Sequence, residues 1–130
     1  MEPLVAMDVT TSGLTAYREW MDVVASNIAN MYSTQTPGGG AYQQETVELQ
    51  AGPSFAATLG SLWQPQGVEV AAIVPEATTV PTTGGQGTNV DIVAQMTDLI
   101  TASRAYDANA SAFAVEKSVE QRALTLGQNA

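Results

Sequence analysis

The side chains that most often carry chemistry are scarce in this chain of 130 residues, and histidine and cysteine are absent altogether. That removes the imidazole base, the thiol nucleophile, the disulfide and every Cys/His zinc pattern. A metal would have to be held by carboxylates and carbonyls alone. The remaining nucleophilic arrangement is a hydroxyl served by a lysine. Lys117 is the one lysine, and with Glu116 and Glu120 beside it a surface ion network accounts for it better than an activated base. The carboxylates are scattered, and their spacing pairs no two of them for acid–base work. Gly84-Gly85-Gln86-Gly87-Thr88 precedes a helical stretch, where anions are attracted. It lacks the Gly-Lys-Ser/Thr of a phosphate loop, and no G-x-G-x-x-G follows a strand, so it reads as a linker. The expectation is a protein that is not an enzyme, with no catalytic residue, cofactor, metal or small-molecule substrate.

Charge narrows the partners further. The net charge is −9, and the only cations are Arg18, Arg104, Lys117 and Arg122. Four scattered cations make no footprint for nucleic acid and none for an anionic membrane surface. No stretch approaches the roughly 18 apolar residues of a membrane span, so no direct membrane insertion is expected. The start, Met1-Glu2-Pro3-Leu4-Val5-Ala6-Met7-Asp8, has no basic n-region, so no cleavable secretory signal is expected either. The absence of cysteine leaves the redox compartment open.

The elements that would position any functional surface are two helices. Over residues 5–33 the spacing predicts a helix whose seam is Met7, Leu14, Tyr17, Met21, Val24, Ile28 and Met31, with Thr10 the polar member. Gly13 is its weak point, costing about 1 kcal/mol relative to Ala. Thr36-Pro37-Gly38-Gly39-Gly40 ends it. Residues 34–87 form a β-rich and loop insert. Residues 42–50 are strand-like with Val47 and Leu49 on one face, and 68–74 form a second strand. Residues 55–63 are open between a short helix and an irregular apolar patch, and 78–87 read as a loop. A second helix spans 88–127, with Thr88 as N-cap, Asp91 completing a capping box and Gly127 as the stop. Its seam is Ile92, Met96, Leu99, Tyr106, Ala110 and Phe113 with Ser103 the polar member, widened by Val93, Ile100 and Ala114. Residues 101–112 are nearly all small and suit close approach by several helices. The fold class is mainly α: one axial-type subunit in which long terminal helices pack as a coiled-coil-like pair around a small insert.

Two helices of this length cannot cover each other's apolar seams completely. Burying a large apolar side chain is worth about 1.5–3 kcal/mol, against about 1–2 kcal/mol per residue of backbone ordering. Neighbouring chains would complete the balance. Asn27 and Asn30 lie beside the first seam, where asparagine's amide competes for the backbone. Hydrogen bonds to another chain would explain both.

At these residues a family resemblance appears. Ser12-Gly13-Leu14 with Met21-Asp22-Val23-Val24-Ala25-Ser26-Asn27-Ile28-Ala29-Asn30 resembles the N-terminal signature of flagellar rod, hook and hook-associated proteins. Residues 89–100, Asn-Val-Asp-Ile-Val-Ala-Gln-Met-Thr-Asp-Leu-Ile, and the following Thr101-Ala102-Ser103-Arg104-Ala105-Tyr106-Asp107-Ala108-Asn109 resemble the proximal-rod members of that family nearly residue for residue. Thr36-Pro37, Gly39-Gly40, Tyr42 and Gly67-Val68-Glu69-Val70 with Ile73 extend the likeness, which covers somewhat more than half the chain.

The resemblance implies a structural rod subunit that polymerises through its terminal helices, transmits torque and lines an export channel. It implies export by the flagellar type III apparatus and residence in the periplasmic rod of the basal body. Implied partners are other flagellar rod proteins, the rod–export-gate adaptor protein and copies of itself. The residues expected to pack subunits are Leu14, Met21, Val24, Asn27, Ile28 and Asn30 on the first helix. On the second they are Ile92, Met96, Leu99, Ile100, Arg104, Tyr106, Asn109 and Phe113. Two features depart from the family: Gln43-Gln44-Glu45 stands where basic residues are usual, and the segment between Ile73 and Asn89 is short. The competing readings are a free-standing coiled-coil homo-oligomer and another axial protein of the rod and hook family.

Overall fold

The computed structural model describes residues 3–52, 67–77, 80–82 and 85–128. In chain order the elements are α1 (Pro3–Ala29), β1 (Glu45–Ala51), β2 (Val68–Pro75), β3 (Val80–Thr82), β4 (Gly85–Gly87) and α2 (Ile92–Gln128). The two long helices enclose a small antiparallel β insert, so the expected fold class holds.

The helix ends differ from the sequence expectation, each for a local reason. Helix α1 stops at Ala29 rather than running to residue 33. The Asn30 amide nitrogen turns back to donate to the Ser26 carbonyl at 2.9 Å, its oxygen accepts the Ser33 hydroxyl at 3.2 Å, and the Ser33 N–H bonds to the Asn30 carbonyl at 2.9 Å. The chain then reverses through Gly39 and Gly40, whose φ values of 85° and 84° lie where only glycine is unstrained. Helix α2 opens at Ile92, not Thr88. Asp91 is the cap, its Oδ1 accepting the N–H of Val93 at 2.9 Å and of Ala94 at 3.4 Å. Thr88 instead donates its hydroxyl to the Met31 carbonyl, tying the entry of α2 to the exit of α1. Gly127 stops nothing: the helix passes through it to Gln128.

The helices are antiparallel. Asn27 meets Gln95 near one end and Thr10 meets Glu116 near the other, at 2.8 and 2.9 Å. At 1.5 Å per residue, α1 with 27 residues spans about 40 Å and α2 with 37 about 55 Å. The last turns of α2 therefore overhang the start of α1, and every residue from 121 to 128 is exposed.

Between them, the seam is rotated from the apolar line. On α2 the inward positions are Gln95, Ala102, Asn109 and Glu116, spaced by sevens, with Gln95 and Ala102 2% and 0% exposed. Leu99, Tyr106 and Phe113 flank this line half-buried, whereas Met96, expected in the seam, is 56% exposed. On α1 the buried set is Thr10, Gly13, Ala16, Val23, Val24 and Asn27. That arc is wider than one seam because α1 is packed by α2 on one side and by the β1–β2 hairpin on another. Small and polar residues win the central line because they let the helix axes close while the larger side chains wedge alongside. Gly13 shows how close: a Cβ there would lie 2.7–2.9 Å from the Asn109 amide. It is a contact point, not a weak point.

Strands β1 and β2 pair from Glu45↔Pro75 to Ala51↔Val68, and the register shift after Glu48 leaves Ala71 without an opposite residue. Val47 and Leu49 share the more buried face, as the alternation predicts. The hairpin is fastened to α1 by the Val68 N–H, which donates to Ser12 Oγ at 3.0 Å. Within 78–87, expected as a loop, β3 and β4 form a short antiparallel ladder, Val80↔Gly87 to Thr82↔Gly85. Residues 55–63 lie outside the described residues.

Candidate assembly surface

The residues expected to pack subunits divide into an internal junction and an external face. Asn27 is the centre of the junction and is 1% exposed. Its Nδ2 donates to the Glu45 carbonyl and to Gln95 Oε1, both at 2.8 Å. Its Oδ1 accepts the Tyr42 hydroxyl and the Glu45 N–H, both at 2.9 Å. Both amide protons and both oxygen lone pairs are thus used within the chain. The proposed hydrogen bond from Asn27 to another chain is corrected: the gain that justifies an interior asparagine is intramolecular. Asn30 likewise spends its amide on its own helix end.

Around Asn27 the entry to α2 is held by a second set of bonds. The Gln44 N–H donates to Asn89 Oδ1 at 2.7 Å, the Glu76 N–H donates to the Gln44 carbonyl at 2.8 Å, and Asn89 Nδ2 donates to the Glu76 carbonyl at 3.2 Å. The end of α1, the foot of the hairpin and the first turn of α2 therefore form one connected unit. It fixes which side of α2 turns outward.

That outward side is apolar at both ends. Val93, Met96 and Ile100 are 69%, 56% and 54% exposed, and further along Val115, Val119, Leu124 and Leu126 are exposed too. Between the two groups lie exposed Thr101, Arg104, Asp107, Ala108 and Ser111. Of the remaining expected packing residues, Val24 is buried. Leu14, Met21, Ile28, Ile92, Leu99, Tyr106, Asn109 and Phe113 are half-buried, between the helices or along the rim. Met96, Ile100 and Arg104 are left free to meet another chain.

Sequence reasoning missed Gln95 and Glu116 as packing residues, and it gave Asp91 and Gly13 roles other than cap and contact point. A signal for Gln95 and Glu116 was present: with Ala102 and Asn109 they repeat at seven-residue intervals, a polar and small line parallel to the apolar one. Weighting that line required knowing that Gly13 and Asn27 lay opposite. Among the described residues no helix is long and apolar enough to cross a membrane, and no group of three or more acidic side chains is placed to hold a metal ion.

Comparison with known proteins covers both helices. Residues 7–35 match the family described as flagella basal body rod protein, and residues 86–126 match the flagellar basal body rod FlgEFG protein C-terminal family. The flagellar basal-body rod protein FlgC of Bacillus subtilis (strain 168) is 32% identical over 145 residues, covering 95% of this chain and 97% of its own. The FlgC proteins of Escherichia coli O157:H7 and Salmonella typhimurium are 33% and 32% identical over 140 residues, covering 98% of this chain and 100% of theirs. With likeness running through both terminal helices and across nearly the whole of each relative, the chain belongs to the FlgC family of flagellar basal-body rod proteins.

Proposed function

We propose that this chain is a subunit of the proximal rod which polymerises through its terminal helices, carries torque along the rod and contributes to the wall of its export channel. It leaves the cytoplasm through the flagellar type III apparatus without a cleaved signal and assembles in the periplasm. Its partners there are other rod proteins, copies of itself and the rod–export-gate adaptor.

The observation that carries this reading is the outward apolar face of α2. Val93, Met96 and Ile100 project away from α1 on a helix whose inner line is already satisfied, so folding of a single copy does not cover them. Each would gain about 1.5–3 kcal/mol on full burial against a neighbour. The same reading gives Arg104 a place at the subunit contact.

Ile100→Asp tests it. Ile100 is exposed, so the variant should keep the unfolding free energy of the isolated chain to within about 0.5 kcal/mol, as an ordinary surface change does. Secretion should continue, while rod assembly and swimming are lost. Wild-type swimming with Asp at this position would refute the assembly role of the face. Leu99→Asp and Ile28→Asp should also abolish motility, but through the helix pair itself, with a lowered melting temperature. Basal bodies imaged from a deletion strain should stop near the inner membrane.

A further inference from the structure

The outward face of α2 has an internal symmetry that the rod reading does not use. Positions 93, 97, 100, 104, 107, 111, 114 and 118 follow the alternating four-and-three spacing of a heptad seam on the side opposite Gln95 and Ala102. Along it the large residues, Val93 and Ile100 with Met96 beside them, occupy the N-terminal half. The small residues Ser111, Ala114 and Ser118 occupy the C-terminal half. At the midpoint stand Arg104 and Asp107, both exposed, and among the described residues neither side chain has an ion-pair partner.

We propose that two copies of this chain pair before assembly through these faces, with their α2 helices antiparallel and Arg104 of each against Asp107 of the other. A two-fold axis between residues 105 and 106 places Arg104 level with Asp107 of the second copy. It places Ile100 level with Ser111, Thr97 with Ala114, Met96 with Val115 and Val93 with Ser118. Along the seam Val93 and Ile100 then meet serines, Met96 and Val115 pack apolar against apolar at its edge, and both charges are matched. A parallel arrangement would set Arg104 against Arg104 and Ile100 against Ile100, so the charge pattern selects the antiparallel one.

The hydroxyls on this seam do not oppose burial. Thr97 donates to the Val93 carbonyl at 2.9 Å, Ser111 to the Asp107 carbonyl at 2.9 Å and Ser118 to the Val115 carbonyl at 2.8 Å. A second copy can cover them without leaving a donor unpaired. Leu124 and Leu126 on the overhang lie outside the paired stretch. The dimer covers Val93, Met96 and Ile100, the residues the proposed rod contact needs, so it is a reserve form that must part before a subunit joins the rod. It uses the same face as that reading but stands or falls separately.

Sedimentation of the purified full chain from about 1 μM to 1 mM, the span of weak associations, gives the first readout. A dimer is expected, weakened by high salt. Arg104→Asp or Asp107→Arg turns two attractions into two repulsions and should weaken dimerisation about tenfold. The double reversal Arg104→Asp/Asp107→Arg should recover most of the loss. Because the natural chain has no cysteine, a Thr97→Cys chain mixed with an Ala114→Cys chain reports orientation directly. Mixed disulfides should form in preference to those between like chains. A monomer at every concentration, no recovery in the double reversal, or a preference for like-chain disulfides would each overturn the pairing. A monomeric chain that still builds rods sinks the dimer alone, whereas a dimer in cells without rods sinks the rod reading alone.

Discussion

Asn27 and Asn30 look interchangeable in the sequence, and the structure makes them unequal. Replacing Asn27 by Ala removes four hydrogen bonds at once, leaving Gln95 Oε1 and both backbone groups of Glu45 without their partner and the Tyr42 hydroxyl with only the Ser26 hydroxyl at 3.5 Å. Gln95 is 2% exposed, so its loss carries the full cost of a buried unpaired group, about 1–3 kcal/mol. Tyr42 and Glu45 are half-buried, water can reach them, and their share is smaller. A total of about 3–5 kcal/mol is a large part of the roughly 5–15 kcal/mol available to a domain. In a chain of this size it should lower the melting temperature by on the order of 10–20 °C.

Asn30→Ala removes only the local bonds to the Ser26 carbonyl and from the Ser33 hydroxyl, at a half-buried helix end that water can reach, so it should be within about 1 kcal/mol of neutral. Asn27→Asp is the informative control. It keeps the shape and both acceptor contacts but presents a carboxylate to the Glu45 carbonyl and Gln95 Oε1, so it should be at least as damaging as Ala. Thermal unfolding followed by circular dichroism measures all three. If Asn27→Ala melted within about 2 °C of Asn30→Ala, the junction would not be holding the helices together, and the reasoning built on it would fail.

Two further outcomes follow from the helix pair. Gly13→Ala, normally stabilising in a helix by up to about 1 kcal/mol, should instead destabilise by about 1–2 kcal/mol because the new Cβ meets the Asn109 amide. Gly13→Ala/Asn109→Ala should recover most of that loss in denaturant unfolding, and no recovery would mean the close approach is not the cause. Amide hydrogen exchange in the purified subunit should be slowest near residues 95–109, opposite α1. It should be about 100-fold faster over 121–128, where every residue of α2 is exposed; equal rates would contradict the overhang.

The class of fold was legible because long segments free of proline, with apolar residues at helical spacing, leave little choice of element. The face each helix turns inward was less legible. Periodicity selects the most apolar line, Met96 with Ile92 and Leu99, and that line is offset from the real contact by one position at Gln95. What shifts it is pairwise: Asn27 needs an acceptor at 2.8 Å, and Gly13 admits Asn109. No count along one helix contains that information. The caps erred in the same way. Thr88 and Asp91 are both good N-cap residues, and the choice between them is made by the Met31 carbonyl, 57 positions away in sequence, which takes the Thr88 hydroxyl. The second short ladder escaped notice because strands as brief as Val80–Thr82 and Gly85–Gly87 carry no alternation to detect.

The distribution of side chains across α2 has a physical logic. An ordinary surface helix hides its large apolar residues and shows its polar ones. Here the inner line is Gln, Ala, Asn and Glu at 95, 102, 109 and 116, while Val93, Met96 and Ile100 face outward. A seam of leucines would have made a tighter pair, but one tolerant of sliding, since a slip of seven residues exchanges one apolar layer for the next. Such a slip would move the outer face by about 10 Å along the helix. A subunit that must repeat its contacts from copy to copy cannot absorb an error of that size. Asn27 against Gln95 and Gly13 against Asn109 have no equivalent partners one heptad away, where the facing residues are Ala102 and Glu116 or Trp20. The inner seam thus gives up binding strength to hold one register, and the outer face keeps the apolar surface from which contacts between subunits can draw theirs.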